Sequence, residues 1–302
     1  MDNLIKKNIG ILSGGWSEER QISLESGQAV FDALKNTDFN VFLYDLKNNL
    51  NDLTAFITDN SIDIVFNLIH GTGGEDGTVQ AWLDNLGVKY IGSDAKSSEL
   101  SFSKILTKEK WIENDLKTPK YFIVDKNNLN IPDINNIKYV FKPDKSGSSV
   151  GIKILNNIKE LSRDLPLLVK SSDEKYFIEE YVEGYEYTAP IIDNSVFPII
   201  KIETKREFYN YEAKYIDNDT NFTFPKFNQD MLKEIEKTCL KAFKILGCKG
   251  WGRVDFFINN KDEIHLIEVN TIPGMTSHSL VPMSAKKKGL NFIDLIIAII
   301  NS

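Results

Sequence analysis

From residue 8 onward the apolar positions of the chain switch between two periods. NIGIL, VFLYD and IDIVFNLI are short apolar runs, whereas QISLESGQAVFDALK and TVQAWLDNL repeat their apolar residues at three- and four-residue spacing. Period two marks a strand and period 3.6 a helix, so strands here interleave with helices. That order predicts a parallel sheet covered on both faces, in a first domain over residues 1–93. Two glycine-rich loops, SGGWSEER and HGTGGEDG, each follow a strand, and open α/β sheets bind ligands at the carboxyl ends of their strands.

The pattern then changes. SDAKSSELSFSKILTKEKWIENDL reads as one long helix, followed by the strand-like KYFIV, YVFKP, GIKIL and KYFIEEYV. These predict a small α+β middle domain over residues 94–183. The remaining segment, 184–302, opens on YEYTAPII, and its helix runs from Gln229 to about Leu246. Between them KREFYNYEAKYIDNDTNFTFP shows neither period, and a stretch of that length reads as a lid or binding loop, at about 205–227.

WGRVDFFI, the turn NNKDE and EIHLIEVN predict an antiparallel hairpin. Simple alternation puts Arg253, Asp255 and Phe257 on one face. It puts Glu268 and Asn270 together, with Ile267 and Val269 and also His265 turned the other way. Pairing then brings Asp255 near Glu268 and Asn270, a set of oxygen donors suited to Mg²⁺. The alternative is a hairpin with one solvated polar face. Asp and Asn are depleted in strand interiors, which favours the metal.

Composition narrows the function. With 42% hydrophobic and 26% charged residues the 302-residue chain has the makeup of an ordinary globular protein, so folding throughout is expected. A formal charge of -7 leaves no broad field to attract nucleic acid or a membrane surface, so any anion site is local. Cys239 and Cys248 lie in no metal-binding or disulfide pattern and read as buried thiols of a reducing compartment. The N-terminus lacks a secretory pattern, and FIDLIIAII is far short of the roughly 20 residues of a membrane span. A cytoplasmic location is expected.

FKPDKSGSSVGIK follows a strand and can aim backbone amides at phosphate, with Lys142 adding charge; a solvated surface lysine is the plainer reading of Lys142. Gly147, Ser149 and Gly151 also fit the GxSxG elbow of serine hydrolases, and His70-Gly71-Thr72-Gly73-Gly74 loosely fits their oxyanion loop. An elbow needs a helix directly after the serine, whereas GIKILNN continues as strand. The Walker and Rossmann glycine patterns are both absent.

GGWSEERQISLESG, HGTGGEDGTVQ, KPDKSGSSVG, YEAKY, GWGRVDFF and EVNTIPGMTSHSLVP, in this order over residues 14–282, resemble the D-alanine–D-alanine ligases of the ATP-grasp superfamily. The resemblance implies an α/β, three-domain ATP-grasp fold: an N-terminal parallel α/β domain, a small α+β central domain and a C-terminal α+β domain. ATP would lie between the last two, and D-alanine would face the first. It further implies phosphoryl transfer from ATP to the first D-alanine and attack by the amine of the second.

By the matching positions, Lys104, Lys142 and Ser149 serve the ATP phosphates, Glu179, Tyr181 and Val182 the adenine, and Glu186 the ribose. Asp255, Glu268 and Asn270 hold two Mg²⁺ ions, with Mn²⁺ a possible substitute. Arg253 and the Gly274 amide face the oxyanion. Glu19 takes the first ammonium, with His70 near its carboxylate, although a lone histidine can equally be a structural hydrogen-bonder. Lys214 and Ser279 bind the second substrate beside Leu280, and Tyr215, Ser148 and Glu19 form a chain that closes the lid. A homodimer through the N-terminal domains is implied. Ser146 departs from the family, standing where many members carry Glu. D-lactate or D-serine ligases, a serine hydrolase and a non-catalytic nucleotide sensor are the competing readings; the lid sequence EAKY resembles the amine-using type.

Overall fold

The architecture is that of a computed structural model, which describes residues 7–125, 138–147, 149–169, 174–204 and 220–302. The N-terminal strands β1 (Asn8–Gly14), β2 (Asn40–Leu46), β3 (Ile64–Asn67) and β4 (Lys89–Tyr90) form a parallel sheet in the order β2-β1-β3-β4. Helix α1 (Arg20–Leu34) supplies Val30 and Leu34 to one face. Helices α2 (Leu50–Asp59) and α3 (Thr78–Leu86) supply Leu53, Ile57, Val79 and Leu83 to the other. The expected two-sided cover is present. Helix α2 and the two-residue β4 were not legible in the pattern.

The long helix expected from residue 94 is two helices. α4 (Ala95–Phe102) stops at Ser103, whose backbone is extended, and α5 (Lys104–Glu113) starts there. The Ser103 side chain accepts from the Leu106 amide, as an N-cap does. Asp144 reinforces the start, accepting from the Ile105 amide at 2.8 Å and from the Ser103 hydroxyl. A carboxylate at a helix N-terminus is favourable, and the break holds Lys104 at the first helical position.

β5 (Tyr121–Val124), β6 (Tyr139–Pro143), β7 (Lys153–Leu155) and β8 (Tyr176–Glu180) form an antiparallel sheet in the order β5-β8-β6-β7, backed by α6 (Ile158–Leu168). The C-terminal sheet is built on β9 (Gly184–Ile192). β10 (Ser195–Val196), β11 (Ile200–Glu203) and β13 (Trp251–Asn259) pair directly with β9, while β12 (Asn221–Thr223) pairs with β11 and β14 (Ile264–Asn270) with β13, all antiparallel. β12 falls inside the stretch read as patternless, so that reading is corrected: pairing to β11 makes Asn221–Thr223 a strand that three residues could not announce. Helix α7 (Gln229–Ile245) packs Ile235, Cys239 and Phe243 beneath this sheet, while α8 (Leu280–Lys288) and α9 (Phe292–Ile300) close the chain.

The hairpin β13–β14 carries a second correction. Asp255 pairs with Glu268, but Phe256 pairs with Leu266, so Ile267 is an extra residue, a β-bulge. Beyond the bulge the faces exchange. Leu266 joins Val269 in the core, and Ile267 lines the cleft beside Glu268, not away from it. His265 likewise pairs with Phe257 instead of lying on the far side.

One core crosses the molecule from end to end. Ile9, Ile11 and Phe66 of the parallel sheet pack with Trp251, Ile272, Val281 and the α9 residues Leu295, Ile296 and Ile299. The apolar FIDLIIAII is therefore core, and no helix among the described residues is long and apolar enough to cross a membrane. Trp251, 1% exposed, meets the Phe66 ring edge-on at 5.7 Å. Trp251→Ala is predicted to lower the unfolding free energy by about 3–5 kcal/mol in urea titrations; a loss below about 1 kcal/mol would show that this contact does not join the two ends.

Candidate active site

The central and C-terminal sheets face each other across a cleft lined by residues of both. Its apolar wall includes Val140, Ile152, Ile154, Val182, Phe257 and Ile267, and its polar residues include Lys104, Lys142, Ser149, Glu179, Glu186 and Glu268. Tyr181 lies at the same wall. An apolar slot ending in a few convergent charges is the usual form of a small-molecule site. Every residue that the sequence assigns to the adenine, ribose and phosphates thus lines one cleft.

β6 delivers Lys142 and β8 delivers Glu179 to the same spot, both buried. Glu179 Oε1 lies 2.5 Å from Lys142 Nζ, and its Oε2 lies 2.7 Å from Lys108 Nζ. Burial opposes the charged form of the carboxyl, but the two ammonium groups outweigh it and hold Glu179 below the usual carboxylate range. Burial also works against Lys142, and Glu179 more than offsets it, so Lys142 stays firmly charged.

The loop after β6 runs through two tight turns, with the Val150 amide on the Gly147 carbonyl and the Ile152 amide on the Ser149 carbonyl. Ser149 has φ 59°, a strained left-handed conformation for a residue with a side chain, and such strain clusters at ligand clamps. Strand β7 follows, not a helix, so the hydrolase elbow is not built. Lys104 Nζ donates to the Ser146 carbonyl at 2.6 Å and lies 3.5 Å from Glu268 Oε2. The Ser146 hydroxyl donates to the Val150 carbonyl. This short side chain thus braces its own loop.

Across the hairpin, Arg253 pairs with Asn270 and Asp255 with Glu268. The Arg253 guanidinium grips both oxygens of Asp255, at 2.9 and 2.8 Å, and Thr188 on β9 donates to the same carboxylate. The Asn270 side-chain oxygen accepts from the Ile272 amide. Three hard oxygen donors stand in register on one face, as a hard divalent cation requires. In the protein alone, Arg253 and Lys104 neutralise the two carboxylates, the role such a cation would take over.

Two N-terminal loops complete the mouth of the cleft. Glu19, at the head of α1, comes so close to Gly147 that a Cβ there would lie 2.4 Å from its Oε2 and the carboxylate would have to shift. The Ser17 hydroxyl donates to the His70 carbonyl. His70 itself is 3% exposed with both ring nitrogens engaged: Nδ1–H donates to the Ile272 carbonyl at 2.9 Å, and Nε2 accepts from the Ser26 hydroxyl. Ser26 in turn accepts from the Met275 amide. Burial keeps the ring neutral. Of the two sequence readings, this geometry matches the structural hydrogen-bonder, which here clasps the N-terminal loop to the segment after β14.

In that segment a Cβ at Gly274 would meet the Ser279 hydroxyl at 2.8 Å. The Ser279 oxygen accepts from the Thr276 amide, and Leu280 is buried against Ile200 and Ile202. Ser148, Lys214 and Tyr215 lie outside the described residues. Lys108, Asp144, Thr188, Ser26 and Glu75 escaped the sequence reading. Lys108 had left a signal, a lysine between Lys104 and Trp111 on the apolar stripe of its helix. Asp255 and Thr188 are partners only through strand register.

Glu75 approaches His70, with its Oε1 3.9 Å from Nδ1. Burial, and then the charge of Glu19, push its carboxyl well above the ordinary 4.5. The folded chain therefore binds this proton more tightly than the unfolded chain. Its contribution to stability is complete below about pH 4.5 and is lost as the pH rises through the folded value. Glu75→Gln is predicted to gain stability over the parent, by a margin that grows from pH 4.5 toward neutrality in urea titrations; a constant margin contradicts the burial of this acid.

Comparison with known proteins gives the family. The family model "D-ala D-ala ligase C-terminus" matches residues 107–301, and "D-ala D-ala ligase N-terminus" matches residues 52–93. A D-alanine–D-alanine ligase of Vesicomyosocius okutanii is 40% identical, over 97% of this chain and 99% of its own. Among solved structures, a D-alanine–D-alanine ligase from Bacillus anthracis complexed with ATP superposes with a TM-score of 0.84 at 30% identity, covering 98% of this chain and 96% of that one. The VanG D-Ala:D-Ser ligase of Enterococcus faecalis gives 0.80 at 27% identity, covering 98% of each. With the family models matching residues 52–93 and 107–301 and a full-length relative at 40% identity, the chain belongs to the D-alanine–D-alanine ligase family.

Proposed function

We propose that this protein joins two D-alanines into D-alanyl-D-alanine at the expense of ATP, releasing ADP and phosphate, in the synthesis of a peptidoglycan precursor. The observation that carries the reading is the meeting, in one cleft, of buried Lys142 and Lys104 with the acidic face of β13–β14. Forming an amide from a carboxylate requires a leaving group on that carboxylate, and phosphoryl transfer supplies one. Catalysis of that transfer is mostly positioning and neutralisation of charge.

Lys104, Lys142 and the amides around Ser149 hold the phosphates, Glu179, Tyr181 and Val182 receive the adenine, and Glu186 the ribose. Asp255, Glu268 and Asn270 would hold the metal, two Mg²⁺ ions or Mn²⁺ in their place, which would screen the charge of the phosphate oxygens. Glu19 anchors the ammonium of the first D-alanine, so that its carboxylate meets the γ-phosphate and forms an acylphosphate. Ser279 and Lys214 hold the carboxylate of the second, with Leu280 packed behind. Its amine attacks, and Arg253 with the Gly274 amide stabilises the oxyanion that develops before collapse. His70 steadies this loop through Ile272 and Ser26. Tyr215, Ser148 and Glu19 link lid to substrate and exclude water from the acylphosphate.

The division into domains at 1–93, 94–183 and 184–302, a homodimer through the first, and residence in the cytoplasm belong to the same reading. Two buried free cysteines accord with a reducing compartment. D-alanine is preferred over D-serine as acceptor because the full-length relatives at 36–40% identity are D-alanine–D-alanine ligases.

Phosphate release from ATP and Mg²⁺ is predicted to depend on D-alanine, and release that is indifferent to D-alanine would refute the reading. The rate with an amine acceptor is predicted to rise with pH as the ammonium loses its proton, a dependence a hydroxy-acid acceptor lacks. Glu268→Ala is expected to lower kcat by roughly 100-fold or more with unchanged circular dichroism; near-normal turnover would remove this residue from the metal site.

A further inference from the structure

Lys108 shares Glu179 with Lys142 but not the cleft. Lys142 lines the cleft, whereas Lys108 is absent from its wall and 0% exposed. Its ammonium donates to Thr118 Oγ1 at 2.6 Å and rests over the Tyr121 and Phe177 rings, at 5.7 and 5.8 Å from their centroids. The Thr118 hydroxyl donates in turn to the Leu266 carbonyl on β14. Lys108 is therefore fixed between the central sheet and the hairpin, where no ligand can reach it. One carboxylate with two cations has one cation more than neutrality requires.

We propose that Lys108 is a positioning residue: the permanent counter-ion of Glu179, which lets Lys142 leave that carboxylate for the phosphates of a bound nucleotide. The inference rests on the nucleotide reading above. Glu179 is 3% exposed, and a buried carboxylate stripped of its only cation is strongly unfavourable. Without Lys108, Lys142 would have to choose between Glu179 and phosphate. With it, Lys142 can exchange one anion for the other while Glu179 stays paired. Glu179 is then ionised and held in place to accept a hydrogen bond from the amino group of the base. Burial is the larger effect and lowers the Lys108 ammonium from its ordinary value, and Glu179 offsets only part of that shift.

The model makes the penalty for losing Lys108 depend on phosphate, which damage to the fold would not do. Calorimetric titration of the full chain with ATP and with adenosine tests this in the parent, Lys108→Met, Glu179→Gln and the double variant. Lys108→Met is expected to raise the Kd for ATP at least about tenfold, about 1.4 kcal/mol, and that for adenosine by less than about threefold. In the Glu179→Gln background no buried anion competes for Lys142, so adding Lys108→Met is expected to change the ATP Kd by less than about threefold. Equal losses for ATP and adenosine, or an ATP Kd in Lys108→Met within about twofold of the parent, would overturn the proposal. If Lys108→Met does not fold, the comparison of Glu179→Gln with the double variant decides, and a further tenfold loss there overturns it. A parent chain that binds no ATP would sink the nucleotide reading as well; a parent that binds ATP beside an unaffected Lys108→Met sinks this inference alone.

Discussion

Charge buried away from water must be paired, and the cleft of this protein is organised by that requirement. Lys142 and Lys108 share Glu179, Arg253 grips Asp255, and Lys104 stands between Glu268 and the Ser146 carbonyl. Lys142 and Lys108 join β6 and α5 to β8 through Glu179, Lys104–Glu268 ties α5 to the hairpin, and Arg253–Asp255 lies within β13. Such pairs add little to stability in themselves, since desolvation consumes most of the attraction. On the proposed function their value lies in exchange: a polyanionic ligand arriving with a divalent cation would present partners of both signs, and the internal pairs could be traded without leaving a bare charge.

The scaffold that sets up this exchange depends on irregularities more than on regular elements. A bulge at Ile267 brings an apolar side chain beside Glu268, so one strand offers both a wall for the ligand and an oxygen donor. The break at Ser103 turns one helix into two and points Lys104 into the cleft. Gly147 lets Glu19 approach from another part of the chain. The core built on Trp251, Phe66 and the last helix keeps the N-terminal loops in register with the segment after β14, and the His70 hydrogen bonds lock that register at the mouth of the cleft.

Much of this was legible in the sequence, because periodicity reports which face of a segment is buried. The parallel N-terminal sheet, the hairpin and the strand before Lys142 all follow from it, and the ordered motifs carried the family resemblance. Beyond α2, β4 and the break at Ser103, other features also resisted. The bulge at Ile267 obeys the pairing of two strands and leaves alternation intact in the letters, so Ile267 and His265 were assigned to the wrong face. The strand Asn221–Thr223 exists through its partner β11, not through its own three residues. The supporting charges and hydroxyls Lys108, Thr188, Asp144 and Ser26 contact residues far along the chain, and no local pattern announces a contact across such a span.

On the proposed function, the paired charges of the cleft serve the transfer of a phosphoryl group to a carboxylate. D-alanine carrying heavy oxygen in its carboxylate, incubated with ATP, Mg²⁺ and this protein, reports on that step directly. One labelled oxygen should appear in the released phosphate for each dipeptide formed. Phosphate that emerges unlabelled while dipeptide accumulates would mean that the carboxylate is activated in some other way.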